Sequence, residues 1–185
     1  YLMPFSRYKR MSGVRTLQGL ITAINVDKRT VTVKLQDDSE QVEPYDALVI
    51  SSGVTNGFWR NNALENIDAI NRSIDHASHQ LLQSQSVAII GGGASGASVA
   101  ANLAARYPEK SVHFFFSQRQ PLPGYHPKVR KSAEQHLRRA GVNLYPNHRA
   151  IIADDFQCER FTTEPIAFSG GQDDFNADIT LWTVG

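Results

Sequence analysis

Between residues 19 and 50 apolar and polar side chains alternate, with apolar positions at Leu20, Ile21, Val26, Val31, Val33, Leu35 and Val42 and a last run from Leu48 to Ile50. A period of two predicts a meander of short antiparallel strands. Its turns fall at NVDKRT and QDDSEQ, where Asn, Asp and Ser favour local side-chain-to-backbone hydrogen bonds over strand pairing. Past SSGV the period lengthens. Leu64, Ile67, Ile70, Ile74, Ala77 and Leu81 form one apolar stripe, which predicts a helix over about 63–83. An apolar strand, SVAII, then runs into the turn GGGASG and the Ala-rich helix ASVAANLAARYP, which ends at Pro108. The strand SVHFFF follows, then a Pro- and Gly-rich loop. A helix over about 127–140 comes next, closed by Gly141 as a left-handed cap, and then the strand GVNLY. Residues 151–168 predict a second set of short strands, and QDDFNADITLWTVG predicts a loop that ends as a buried strand.

Bulk properties narrow the function classes. The chain has 185 residues, 41% of them hydrophobic, enough for one sizeable core or two small lobes. A net charge of +1 supplies no field that would gather a phosphate backbone, so nucleic acid is not an expected partner. The single cysteine, Cys158, excludes an internal disulfide or a Cys-x-x-Cys pair within these residues, and a reducing, cytoplasmic compartment is expected. No apolar run reaches the roughly 18 residues needed to span a bilayer. The start at Tyr1 and the finish at Gly185, directly after a strand pattern, read as an excerpt of a longer protein.

Gly91, Gly93 and Gly96 stand at Gly-x-Gly-x-x-Gly spacing, after a strand and at the head of a helix, with a second strand at the expected distance. Each lacks a side chain for its own reason. The first permits a tight turn, the second lets backbone approach a pyrophosphate, and the third lets the helix starting near Ser95 pack on the sheet. The amides at the helix start would then face the anion. The expected ligand is a nicotinamide dinucleotide, NADH or NADPH, held at Gly91, Gly93, Ala94, Ser95 and Gly96; a Gly-rich turn needed for packing alone is the bland alternative. NAD-specific sites place an acidic side chain at the end of the second strand, to accept hydrogen bonds from the ribose hydroxyls. Here that position is Phe116, followed by Ser117, Gln118 and Arg119. A hydroxyl and a guanidinium that could meet a 2′-phosphate stand where a repelling carboxylate is missing, which favours NADPH or tolerance of both; Arg119 as an ordinary solvated loop residue is equally open.

These residues resemble the flavin-dependent pyridine-nucleotide oxidoreductases, and within them the apoptosis-inducing-factor-like and type II NADH dehydrogenase-like branches. YDALVISSGV resembles the strand that closes the first flavin half-domain, SVAIIGGGASGASVAANLA the NAD(P)H turn, and ADITLWTVG the return strand to the flavin domain. The likeness covers nearly the whole chain. It implies an α/β fold: a Rossmann-like three-layer NAD(P)-binding domain with a β-meander, beside part of an FAD-binding domain. The implied division is 1–55 for the end of the first FAD half-domain, 56–177 for the NAD(P)H domain and 178–185 for the return strand.

The resemblance further implies a parent enzyme that passes hydride from NAD(P)H to FAD and then electrons to an acceptor such as a quinone. The flavin carries the redox chemistry, so no catalytic acid or base is assigned. Ser51, Ser52 and Gly53 are flavin-side candidates. The fragment alone is expected to be inactive, and the parent to be cytoplasmic or peripheral to a membrane. The family often has Glu two residues after the third glycine; this chain has Ser98, so no proton-handling or nicotinamide-orienting role is carried over to that position from relatives. That departure keeps open a non-catalytic NAD(P)H-sensing or interaction module.

Other features carry less. His76 and His79 lie three apart on a predicted helix without further ligands, so no metal site is assigned. Arg7, Lys9, Arg10 and Arg15 read as a solvated basic cluster, and Trp59, Trp182 and Cys158 as packing residues. A methyltransferase on a similar turn is disfavoured by Phe116 and by the flanking meander.

Overall fold

The computed structural model describes residues 13–51, 65–152, 156 and 161–184. The chain divides into two compact units. In the first, β1 (Leu20–Asn25), β2 (Thr30–Lys34) and β3 (Glu40–Pro44) form an antiparallel sheet in the order β1-β2-β3. The turns carry the predicted chemistry. Asn25 Oδ1 accepts the Lys28 amide at 2.8 Å, and Asp37 Oδ1 accepts both the amide and the hydroxyl of Ser39. Arg15 pairs with Glu43; Arg7, Lys9 and Arg10 lie outside the described residues.

One strand expectation fails here. Leu48, Val49 and Ile50 form no strand and are 38%, 87% and 68% exposed. A strand exists only through a neighbour that takes up its N–H and C=O groups, and among the described residues none lies alongside.

Among the described residues the second unit starts with α1 (Ile67–Gln83), whose stripe buries Ala77 and half-buries Ile70, Ile74 and Leu81, while Ile67 stays exposed. The helix begins later than the predicted 63, and Ala63 and Leu64 lie outside the described residues. At its end the ammonium of Lys110 donates to the carbonyls of Leu82 and Ser84, which completes carbonyls that the last turn leaves open. Then come β4 (Ser86–Ile90), α2 (Ala94–Arg106), β5 (Ser111–Phe116), α3 (Pro127–Arg139), β6 (Asn143–Pro146) and β7 (Ile179–Trp182). Gly141 takes φ +86 after α3, the left-handed cap that the sequence predicts.

The sheet order is β6-β5-β4-β7 with every neighbouring pair parallel, a Rossmann-like arrangement. Side-chain alternation sorts its two faces. Val87, Ile89, Val112, Phe114, Phe116, Ile179 and Leu181 pack with Ala100 and Ala104 of α2 and Leu137 of α3. Ala88, Ile90 and Phe115 pack on the opposite face with Ile166 and Phe168, and Trp182 joins them as a packing residue.

That second face is covered by irregular chain. The short strands expected over 151–168 are reduced, among the described residues, to the isolated bridges Ala150 with Phe168, Thr162 with Thr180 and Ile166 with Phe175. Pro165 has no amide to donate, and Gly171 turns the chain at φ +78, so no ladder extends beyond a single pair. At the far end of the sheet Asp178 Oδ2 accepts the amides of Gln85 and Ser86 at 2.6 and 2.8 Å, and Ser86 Oγ accepts the Asp178 amide, clamping the starts of β4 and β7.

Candidate functional site

The C-terminal edge of a parallel sheet, where neighbouring strands depart in different directions, is where open α/β folds bind ligands. Here β4 is that strand, with β5 on one side and β7 on the other. Its last residue leads into the turn 91–96. Gly91 takes φ +122, a conformation that L side chains rarely adopt, while its amide continues the ladder to the Phe115 carbonyl at 3.0 Å. Gly96 is buried, and a Cβ there would stand 2.0 Å from the Gly91 carbonyl oxygen, 2.7 Å from Thr183 Oγ1 and 3.0 Å from Phe114 Cε2. The helix therefore reaches the sheet only because residue 96 has no side chain.

Gly93 is the reverse case. It precedes α2 with ordinary extended backbone, and a Cβ there would meet nothing within 4 Å. No side chain caps α2, whose first intrahelical bond is Ala97 N to Gly93 O at 3.1 Å. The amides of Ala94, Ser95 and Gly96 thus come before any helical acceptor, at the positive end of the helix macrodipole. Gly93, Ala94 and Ser95 are exposed. An open cradle, uncapped amides and a positive helix end fit a pyrophosphate.

At the end of β5, Phe116 points into the helix-side core, 3% exposed, with its ring 5.2 Å from that of Phe114. Beyond it Ser117, Gln118 and Arg119 are exposed. The loop is pinned by Asn147 N to Gln118 O at 3.1 Å and His148 N to Phe116 O at 3.0 Å. Glu134, on α3, is engaged by Gln120 and Arg138. The structure thus places Gly91 to Gly96 on the exit of β4 and Ser117 and Arg119 on the exit of the adjacent β5, along one edge of the sheet. Ser51 is exposed in the other unit, and Ser52 and Gly53 lie outside the described residues. Ser98 is exposed on α2, where its carbonyl and hydroxyl both accept from Asn102 Nδ2, at 2.8 and 3.3 Å. His76 and His79 are exposed on α1.

Three residues of this site have no place in the glycine spacing. A Cβ on Gly92 would stand 2.7 Å from that of Phe116, so the middle glycine also serves close packing. Leu122, at φ +59, donates its amide to the Gly92 carbonyl at 2.7 Å. Thr183, just past β7, donates its hydroxyl to the carbonyls of Ile90 and Gly91. A hydroxyl residue ending the strand next to the glycine strand is the one sequence signal that could have marked Thr183.

Comparison with known proteins places these features in context. The family described as "Pyridine nucleotide-disulphide oxidoreductase" matches residues 7–185. The ferroptosis suppressor protein 1 of Homo sapiens is 27% identical over 150 residues, covering 78% of this chain and 38% of that protein. The demethylphylloquinone reductase NdbB of Synechocystis is 28% identical over 198 residues, covering 98% of this chain and 46% of that protein. The chain therefore spans less than half the length of either relative. Among solved structures, the water-forming NADH oxidase from Lactobacillus brevis bound to NADH superposes with a TM-score of 0.62 at 22% identity, over 90% of this chain and 36% of that one. No helix among the described residues is long and apolar enough to cross a membrane.

Proposed function

The chain belongs to the pyridine nucleotide-disulphide oxidoreductase family, and from that premise we propose that it is the NAD(P)H-binding portion of an FAD-dependent oxidoreductase whose electrons pass on to an acceptor of the quinone class. The observation that carries the nucleotide reading is the turn: Gly93 leaves open the space in front of three uncapped amides, while Gly91 and Gly96 close the turn against β7 and β5. In this reading Gly91, Gly93, Ala94, Ser95 and Gly96 bind the pyrophosphate, and Ser117 and Arg119 meet the adenosine end. The absence of a carboxylate at Phe116 admits the 2′-phosphate of NADPH as well as NADH.

Residues 56–177 then form the nucleotide domain, 178–185 are the return strand that pairs with β4 before the chain leads back to the flavin domain, and 1–55 belong to the flavin side, with Ser51, Ser52 and Gly53 as its candidate contacts. A bound flavin would supply the redox chemistry, so these residues would orient and exclude rather than move protons. The quinone assignment rests on NdbB, which is named a demethylphylloquinone reductase.

The test is spectroscopic. The full-length protein purifies with a flavin spectrum, anaerobic NADH or NADPH bleaches it, and a quinone restores it. A colourless protein that still binds nucleotide sinks the oxidoreductase reading and leaves a nucleotide-sensing module.

A further inference from the structure

The Gly-rich turn presents amides outward only if its carbonyls are turned inward, because a trans peptide points the C=O of one residue opposite to the N–H of the next. Two contacts fix that orientation. Leu122 N holds the Gly92 carbonyl at 2.7 Å. The Thr183 hydroxyl lies 2.9 Å from the Ile90 carbonyl and 3.2 Å from that of Gly91. The Gly91 oxygen lies on the packed side of the turn, 2.0 Å from where a Cβ on Gly96 would stand, so the Gly92 N–H points away from the packed interior. A carbonyl rotated the other way would set a partial negative charge where a pyrophosphate must approach.

We propose that Thr183 is a positioning residue for the dinucleotide, its hydroxyl holding the Ile90 and Gly91 carbonyls toward β7 so that the Gly92 amide joins those of Ala94 and Ser95 in facing the pyrophosphate. The inference rests on the nucleotide reading above and extends it to a residue on the return strand, 92 positions from the turn it orders. The hydroxyl is not needed for strand pairing. The Thr183 amide already bonds the Ile90 carbonyl at 2.8 Å, continuing the β4–β7 ladder without it.

The test compares Thr183→Val, equal in shape but without a donor, with Thr183→Ser, which keeps one. Calorimetry reads the affinity for NADH and ADP-ribose, which carry the pyrophosphate, and an NMR titration reads that for adenosine, which lacks it. Thr183→Val weakens NADH and ADP-ribose by the same factor, about five- to tenfold for one lost hydrogen bond, leaves adenosine unchanged, and is restored by Thr183→Ser. A purely structural role would lower adenosine binding in the same proportion. That result overturns the proposal, as does unchanged ADP-ribose affinity in Thr183→Val or a Thr183→Ser variant as weak as Val. If Thr183→Val does not fold, Thr183→Ala, which also lacks the donor, carries the same expectation. Failure of the unsubstituted protein to bind any of the nucleotides overturns the nucleotide reading itself, and the inference with it.

Discussion

The two sides of the Gly-rich turn are built on opposite principles. Its inner side is filled, so that atoms on Gly91, Gly92 or Gly96 would run into Thr183, Phe116, Phe114 or the turn's own backbone within 3.0 Å. Its outer side is vacant, and a Cβ on Gly93 meets nothing within 4 Å. A missing side chain thus means two different things within six residues. On the inner side it permits helix and sheet to touch, a matter of stability; on the outer side it keeps open a space that no protein atom uses, a matter of binding.

The contrast predicts that substitutions three residues apart separate folding from ligand affinity. Gly96→Val has the largest effect. Its Cβ has nowhere to go, because the nearest obstacle is the Gly91 carbonyl rather than a movable side chain. Overpacking of this kind costs about 3 kcal/mol or more, read as a large fall in thermal midpoint. Gly93→Leu is next and has the opposite profile. Its backbone conformation suits any residue and its side chain meets no obstacle, so the cost is the loss of a favoured N-cap residue, about 1 kcal/mol, well short of the Gly96→Val loss. Its NADH affinity falls more than about tenfold, or 1.4 kcal/mol, because the side chain occupies the approach to the amides. Equal melting losses in the two variants would erase the distinction between the sides.

The outer side was legible in the sequence and the inner side only partly. Glycine spacing after an apolar strand is local information, and Phe116 at a strand end is read by counting along SVHFFF. The contacts that close the turn are not local. Thr183 meets the Ile90 carbonyl across 93 residues, and the Leu122 amide reaches Gly92 through a left-handed residue that no propensity marks. The strand expected over Leu48 to Ile50 shows the converse limit. Apolar, β-prone side chains record a preference for burial, but a ladder needs a partner, and periodicity does not say where the partner lies. Over 151–168 the pattern suggested strands, whereas Pro165 and Gly171 leave single bridges.

Arg119 sharpens the outer side further. It is exposed, on a loop pinned to the end of β6, and no carboxylate stands at the strand end before it. If it meets a 2′-phosphate, Arg119→Ala lowers NADPH affinity about tenfold, the lower end for a charge-assisted contact at an exposed site, and leaves NADH unchanged. Competitive titration of the two nucleotides gives the ratio directly. An unchanged ratio returns Arg119 to the solvated surface and leaves the strand end indifferent to the phosphate.

The smallest effect lies away from the turn and tests whether inner packing can be disturbed without touching the outer site. His113 is half-buried on the face of the sheet opposite α2, with its ring 4.7 Å from Phe175 and Nδ1 3.1 Å from the Tyr145 hydroxyl. Burial holds its pKa below the ordinary 6.5. In the unfolded chain the imidazole takes up its proton near 6.5, whereas the folded protein resists it, so protonation favours unfolding. The contribution is complete above that pH and is lost as pH falls toward and through the lowered folded value. Thermal midpoints measured from pH 7.5 downward should therefore decline less steeply in His113→Phe than in the parent, while NADH affinity at neutral pH stays the same in both. A parallel decline would assign the acid sensitivity to other groups. A drop in affinity would mean that the two faces of the sheet communicate, so that packing and vacancy at the turn are not independent.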